Sequence, residues 1–287
     1  MGARPLEVAH GGPPLRLGRA ARFTAAPFSG FLAVALVGCG SDLEDPGAAA
    51  RSDPGNPAVW IEGGTFVTGS DGWKGGFPVA SPYSRTDEQA REWTVQGFWI
   101  QEHEVTNEEY ARLDTAHSFP FGEERHPVAE LTWRQALTYA RSLGGRLPTE
   151  VEWEFVARGA ERREYPWGDA EPTCELAHYV ECEPRSTLPA MTRPSGATPE
   201  GVHDLAGNVR EWVMPVWFDP ARHPVNRDAI KVKGGSFAHL AFFLRAASVT
   251  NDLPPLYSWD NIGFRVAWSC DGPPRCATRH YTPEATR

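Results

Sequence analysis

The sequence predicts an α+β domain that is rich in loops and packs short helices against a mixed β-sheet. Glycine and proline supply 28 and 26 of the 287 residues, above average usage, which favours many turns over long elements. Apolar side chains make up 41% of the chain and include 11 Trp and 14 Phe, enough for one large core. One domain of about 200 residues is the simplest organisation.

Short runs of β-branched and aromatic residues predict the strands. Residues 59–61 and 65–67 flank Glu62-Gly63-Gly64, a turn sequence, and so predict a β-hairpin. Residues 93–100 predict another strand, in which the alternation of large side chains changes phase across Gly97 and indicates a bulge there. Two later strands are predicted over residues 230–233 and 263–268.

Three helices are predicted from one repeated capping sequence. In it a threonine side chain caps a backbone N–H, and a Glu or Gln three residues later reaches back to the threonine. The pairs are Thr106 with Glu109, Thr132 with Gln135, and Thr149 with Glu152. Gly144 and Gly159 are expected to end the second and third helices. From Gly159 to about residue 228 we expect irregular structure.

The N-terminal residues predict a targeting segment. Three arginines precede an apolar run over residues 28–37 that is too short to span a bilayer. The run ends in Leu36-Val37-Gly38-Cys39, which resembles the lipobox of bacterial lipoproteins, with Cys39 as the lipidated first residue of the mature chain. The alternative is an ordinary secretory signal followed by a chance cysteine. We predict a signal peptide over 1–38, a flexible tether over 39–57, a domain over 58–270 and a tail over 271–287.

Charge and anchoring together predict where the protein acts. Removing residues 1–38 takes away four Arg and one Glu and changes the formal net charge from −9 to −12. An acidic surface argues against nucleic acid as a partner. We therefore expect a membrane attachment through the lipid and an exported protein or peptide as partner, at the bacterial cell envelope. Gly40 after Cys39 slightly favours the outer membrane.

Two groups of residues with side-chain oxygens are candidates for catalysis or metal binding. Glu150, Glu152 and Glu154 point to different sides of their helix, so solvated or ion-paired roles are expected rather than acid–base catalysis. Asn208 and Glu211 lie three residues apart beside Gly207 and could give Ca²⁺ hard oxygen ligands. A plain turn satisfied by the Asn208 side chain is the alternative.

The most specific signal is a set of segments that occur in one order along the chain. They are WIEGGTFVTG (60–69), EVTN (104–107), RLPTEVEWEFVAR (146–158), PWGD (166–169), GNVREW (207–212), GGSF (234–237) and IGFR (262–265). From about residue 59 to 268 this set resembles the formylglycine-generating enzyme and sulfatase-modifying factor family. The resemblance implies a compact α+β fold related to C-type lectins, with bound Ca²⁺, and it implies that Asn208 and Glu211 are calcium ligands.

The same resemblance implies an oxidoreductase, but this chain lacks the reactive residues. Family members that oxidise a sulfatase cysteine to formylglycine look to bind copper through two cysteine thiolates. The first cysteine lies three residues after the serine of GGS, and the second lies five residues further on. His239 and Leu244 stand at these positions here. Leucine cannot bind a metal, and one imidazole cannot replace a linear dithiolate site for Cu(I). Copper is therefore not expected, and His239 is the remaining candidate at a degenerate active site.

The other cysteines and histidines predict no replacement site. With Cys39 lipidated, two local disulfides, Cys174 with Cys182 and Cys270 with Cys276, are the simplest of three possible pairings. His103, His203 and His239 could converge on a metal, although hydrogen-bonded histidines are the commoner case. Ser236 is not expected to be a hydrolase nucleophile, because its segment lacks the G-x-S-x-G turn.

Two functions remain open from the sequence. The first is a lipid-anchored, non-catalytic member of the family that presents a groove to a peptide or protein partner. The second is a divergent metal-dependent oxidoreductase that modifies exported proteins, with His239 near the reaction centre.

Overall fold

The computed structural model describes residues 57–69, 90–215, 230–248 and 251–269. Cys39, Cys270, Cys276, the signal peptide, most of the tether and the tail lie outside these residues. The described part contains three α-helices, α1 (Asn107–Ala111), α2 (Trp133–Ser142) and α3 (Glu150–Arg158). Two 3₁₀ turns, Pro194–Gly196 and Ala241–Leu244, are also present. None of the helices in these ranges has the length and apolar character needed to cross a membrane.

Nine short strands form three sheets among the described residues, which confirms the predicted α+β class with mixed pairing. The strands are β1 (Ala58–Ile61), β2 (Gly64–Thr68), β3 (Arg91–Val95), β4 (Phe98–Gln101), β5 (Arg210–Trp212), β6 (Ile230–Lys233), β7 (Asn251–Leu253), β8 (Ile262–Gly263) and β9 (Ala267–Ser269). The sheet orders are β1-β4-β9, β2-β3 and β7-β6-β5-β8. Only β5 and β8 pair in parallel among them; the other pairs are antiparallel.

The predicted hairpin between residues 59–61 and 65–67 is wrong. Strand β1 pairs with β4, and β2 pairs with β3, so the two runs are successive parts of one side of a long antiparallel ribbon. Gly63 lies where the ribbon is interrupted. A Cβ on Gly63 would lie 2.4 Å from the Val95 carbonyl oxygen and 2.6 Å from the Gly97 nitrogen. The glycine therefore permits close contact with the opposite chain and does not reverse the chain direction.

The predicted bulge at Gly97 is also wrong. Ile61 faces Phe98 and Gly64 faces Val95, so both chains advance by the same three residues across the interruption. No extra residue is inserted. A Cβ on Gly97 would lie 2.5 Å from the Trp60 ring, which shows that close packing explains this glycine.

The three helix starts are confirmed with their full capping boxes. In each helix the threonine side chain accepts from the third helical N–H, and the Glu or Gln side chain accepts from the threonine N–H. Gly159 follows α3 with a φ of 63°. Gly144, just beyond α2, also has a positive φ, 69°. Both have a positive φ, which a glycine adopts more readily than any other residue.

The strand predictions near the C-terminus needed two changes. Strand β6 is confirmed, but residues 263–268 divide into the end of β8 and the start of β9, with Arg265 between them. The sequence analysis also missed β5, within the GNVREW segment. Its three residues are all buried, so the strand shows no alternation of polar and apolar residues that could reveal it.

Among the described residues the core consists of two large clusters and one smaller cluster of buried apolar residues. The first surrounds α2 and includes Trp133, Tyr139 and Phe264. The second surrounds α3 and includes Trp153 and Phe155. The third cluster contains Tyr165, Ala177, Tyr179, Cys182, Ala206 and Leu244. The Cys174–Cys182 disulfide, one of the two predicted, is present beside it.

Candidate functional site

A fully buried ion pair between Arg265 and Glu211 joins several segments at the centre of the domain. Arg265 Nε and Nη2 donate to the two carboxylate oxygens of Glu211, each at 2.8 Å. The side chains are 0% and 1% exposed. Arg265 also donates to the backbone oxygens of Gln101, Glu102 and His203. Each guanidinium nitrogen therefore has an acceptor, as a buried cation requires.

A second buried carboxylate, Glu104, holds the turn before β5. One Glu104 oxygen accepts from Asn208 Nδ2 at 2.8 Å, and the other accepts from the Val209 N–H at 3.1 Å. Burial, followed by the nearby charges of Asp204 and Glu211, raises the pKa of Glu104 well above its usual value. The amide oxygen of Asn208 accepts from the Leu188 N–H at 2.9 Å.

These contacts do not fit the calcium site expected at Asn208 and Glu211. Glu211 is neutralised by Arg265 and also accepts from Trp153 Nε1 at 3.0 Å. Asn208 makes the hydrogen bonds of a turn residue with a φ of 55°, which matches the alternative given for it. Within the described ranges, no group of three or more His, Cys, Asp or Glu could hold a metal ion. We assign no calcium ligation to these side chains in this arrangement, and calcium binding stays a prediction.

The glutamates of α3 form ion pairs, as expected. Glu152 pairs with Arg146, and Glu150 pairs with Lys231. Glu154 is buried between Arg158 and Lys233, at 2.9 and 3.2 Å. Burial alone would raise the pKa of Glu154, but the two cations lower it below its usual value. These contacts leave the three carboxylates as structural groups.

The two positions where the resemblance expects thiolates lie on one loop after β6. Gly234 and Gly235 have φ values of 94° and 68°, and a Cβ on Gly235 would lie 2.8 Å from Leu244 Cδ2. The glycines thus let the chain turn tightly over Leu244. Leu244 itself is 0% exposed and belongs to the cluster beside the disulfide. A core side chain therefore fills the second position.

His239, at the first position, is held by Ser236. Its Nδ1 lies 2.6 Å from Ser236 Oγ, and its ring packs edge-on against Phe243. Asn261 Nδ2 donates to the same Ser236 oxygen at 3.3 Å. Burial, and then the charge of Arg210, lower the pKa of His239 to about 4. The imidazole is therefore neutral at physiological pH.

The three candidate histidines do not come together in one site. His103 Nδ1 contacts the Glu104 carbonyl oxygen at 2.7 Å. His203 Nε2 lies 3.9 Å from the Glu102 carboxylate. His239 contacts Ser236, and the described residues contain no metal-binding group that unites the three. His103 and His239 are hydrogen-bonded, the commoner case stated above, whereas the buried Nδ1 of His203 has no hydrogen-bond partner among the described residues.

Arg210 is a further member of this site that was not predicted from the sequence. Arg210 Nη2 donates to Asn261 Oδ1 at 2.9 Å, and its guanidinium lies 5.2 Å from the centre of the Trp259 ring. Through Asn261 it is linked to Ser236 and His239. The sequence signal for Arg210 was a charged residue between two residues of GNVREW that are buried in the structure. Its contact with Asn261 could not be predicted from that signal, because the contact depends on the parallel pairing of β5 and β8.

Comparison with known proteins gives a consistent picture. Residues 44–270 match the model of the sulfatase-modifying factor enzyme 1-like domain. A formylglycine-generating enzyme of Streptomyces coelicolor is 33% identical over 201 residues, which cover 61% of this chain and 62% of that protein. A hercynine oxygenase of Mycolicibacterium thermoresistibile is 32% identical over 50% of this chain and 36% of its own length. The match thus spans less than two thirds of either relative.

Solved structures show the same fold. PvdO from Pseudomonas aeruginosa has a TM-score of 0.58 at 22% identity, covering 73% of this chain and 93% of PvdO. CarF has a TM-score of 0.59 at 21% identity, covering 75% of this chain and 99% of CarF. These similarities confirm the fold predicted from the ordered segments; at such identities they carry nothing about activity.

Removing the charge of Glu211 tests its structural role against a calcium role. Glu211→Gln leaves Arg265 buried without a counter-charge, so we expect the free energy of unfolding to fall by about 3–5 kcal/mol. Urea unfolding measures this with and without a calcium chelator. The exposed pair of Glu108 with Arg112 is the control, and Glu108→Gln should cost less than about 1 kcal/mol. A loss of stability on chelation that disappears in Glu211→Gln would contradict our assignment.

The lowered pKa of His239 predicts a pH dependence of stability. Its folded value of about 4 lies below the ordinary histidine value of about 6.5, so the unfolded chain takes up the proton first as pH falls. His239 should therefore reduce the free energy of unfolding as pH falls from about 6.5 to 4, with no effect above that window. Plots of the free energy of unfolding against pH, for the parent and for His239→Gln, should differ in slope only within this pH window. Equal slopes within this window would show that the pKa of His239 is not lowered in the folded protein.

Proposed function

This chain belongs to the sulfatase-modifying factor enzyme 1-like family, and we propose that it is a non-catalytic, peptide- or protein-binding member attached to the bacterial cell envelope by a lipid. The family supplies the scaffold. The residues at the expected reaction centre supply the reason for assigning a binding role.

This proposal depends on one observation, the replacement of both expected thiolates. Leu244 is a fully buried core residue, and His239 directs Nδ1 at Ser236. Cys174 and Cys182 are joined to each other, so neither offers a thiolate. Cu(I) prefers soft sulfur ligands, and a single neutral imidazole beside an arginine is a poor substitute. This arrangement supports binding without copper-dependent oxidation.

The envelope location is a separate part of the proposal. Cys39 follows Leu36-Val37-Gly38, and a lipid on Cys39 would attach the domain through the tether over residues 39–57. The partner is then an exported protein or peptide, and the acidic chain disfavours nucleic acid. Calcium stays part of the proposal as a stabilising ion, with no ligand assigned to it.

A divergent oxidoreductase that modifies exported proteins is the second candidate. It is favoured by the relatives described as formylglycine-generating enzyme and hercynine oxygenase, and by the partly exposed His239 at the expected reaction centre. This candidate requires a metal that His239 helps to bind.

Metal content and peptide oxidation separate the two candidates. The purified protein is analysed for copper and iron and incubated with Cu(I), oxygen and a peptide containing Cys-x-Pro-x-Arg. We expect no stoichiometric copper and no formylglycine, since His239 and Leu244 replace the two thiolates. We expect no stoichiometric iron, since the described ranges hold no group of three metal-binding side chains. Formylglycine formed with bound copper would contradict the proposal, and iron lost in His239→Ala would favour the oxidoreductase.

The control for this experiment restores the missing donors. His239→Cys combined with Leu244→Cys should bind Cu(I) more tightly than the parent, while Leu244→Cys alone should not. This comparison shows whether the loop still holds the geometry for copper. A double variant with parent affinity would mean that the missing thiols do not explain the loss of copper binding.

The lipid anchor predicts a modified N-terminus. Mass spectrometry of the mature protein from membranes should identify Cys39 as the first residue, carrying acyl chains. The Cys39→Ser variant should be absent from the membrane fraction and should lack the modification. An unmodified mature protein that is cleaved at another position would show that the segment is an ordinary secretory signal.

A further inference from the structure

Arg210 is a buried cation whose hydrogen-bonding capacity is only partly used. The residue is 1% exposed, and its Nη2 donates to Asn261. Its Nε and Nη1 are buried and have no hydrogen-bond acceptor. Within the described ranges Arg210 also has no carboxylate at ion-pair distance; Asp260, the acid that acts on it electrostatically, is exposed. Arginines this deeply buried are otherwise paired, as Arg265 is.

The surface above Arg210 is apolar and accessible. Trp259 covers the guanidinium and is 45% exposed, and Tyr257 packs against it at 5.8 Å between ring centres. Leu256 in the same turn is 66% exposed. Large apolar side chains exposed beside an unsatisfied cation are typical of a binding surface rather than of a solvated loop.

We propose that Arg210 and the apolar surface of Leu256, Tyr257 and Trp259 bind the C-terminal carboxylate of a peptide whose last residue is apolar. The proposal rests on the peptide-binding function above and specifies its ligand. The carboxylate accepts from the unpaired N–H groups of Arg210 after the Trp259 ring moves aside. The last side chain of the peptide then contacts the exposed rings.

A chain terminus fits this site better than an internal acidic residue. At a C-terminus the carboxylate and the side chain are attached to the same Cα atom, so one residue can place its charge on Arg210 and its side chain against the neighbouring rings of Trp259 and Tyr257. An internal Glu would bring main chain on both sides into a place where Arg210 is 1% exposed. Arginine binds carboxylates through a planar array of N–H donors.

Three peptides test the chemistry by isothermal titration calorimetry with the purified chain. The first is acetyl-Gly-Ser-Ala-Gly-Phe with a free carboxylate, the second is its C-terminal carboxamide, and the third is a carboxamide with Glu before Phe. We expect the free acid to bind at least about tenfold more tightly than either carboxamide, because it alone places a charge on Arg210. Equal affinities of the first two peptides would overturn the inference.

Variants of Arg210 test the site itself. Arg210→Met should abolish the preference for the free acid, and Arg210→Lys should retain part of it. Arg112→Gln, at an arginine that is 48% exposed, is the control and should bind as the parent does. Thermal unfolding adds a readout that a merely structural arginine would change. Because Arg210 has unpaired donors, Arg210→Met should leave the melting temperature unchanged or raise it.

The outcomes separate this inference from the proposed function. If all three peptides bind equally and Trp259→Ala weakens them all, the surface binds peptides but the role of Arg210 is wrong. If no peptide binds, the inference fails, whereas the proposed absence of copper chemistry is judged by its own assay. If Arg210→Met does not fold, Arg210→Lys and the comparison of free acid with carboxamide still test whether Arg210 binds the peptide carboxylate.

Discussion

The buried pair of Arg265 and Glu211 is the interaction on which the rest of the domain depends. A cation without solvent must have acceptors for its donors, and Arg265 takes them from β5, from the end of β4 and from His203. Glu211 in turn accepts from Trp153 of α3. One ion pair therefore links the helix, two sheets and the loop before β5. Such a network costs much to desolvate and tolerates little displacement, which explains why the centre of the fold can hold its shape with so little regular structure.

This central network and the candidate site use buried charge in opposite ways. Arg265 is satisfied on all its nitrogens, and Glu154 is enclosed by two cations. Arg210, one strand position from Glu211, has two nitrogens without acceptors. A protein retains such an uncompensated group at a cost in stability, and this difference between the two arginines is the observation from which we propose a ligand at Arg210. Leu244 and His239 give the adjacent loop an apolar and a neutral side chain at the two expected thiolate positions.

Local signals were sufficient to predict some elements and not others. The capping boxes of Thr106, Thr132 and Thr149 act within four residues, so the sequence reveals them directly. The pairing of β1 with β4 depends on residues about forty positions apart, and Gly63, which suggested a turn, is required for close packing of two chains. Order and identity of the conspicuous segments were enough to predict the fold. The site was predicted only in part: His239 and Leu244 could be read by position, whereas Arg210 and Asn261 meet because β5 and β8 are parallel.

Within the residues that the structure describes, no pair of sulfur donors faces the expected reaction centre, because His239 and Leu244 stand at the two thiolate positions. X-ray absorption spectroscopy of the purified protein after addition of Cu(I) measures the ligand atoms directly. We expect any bound copper to have only nitrogen and oxygen neighbours, with none of the sulfur scattering of a dithiolate. Two sulfur neighbours in a linear arrangement would contradict it.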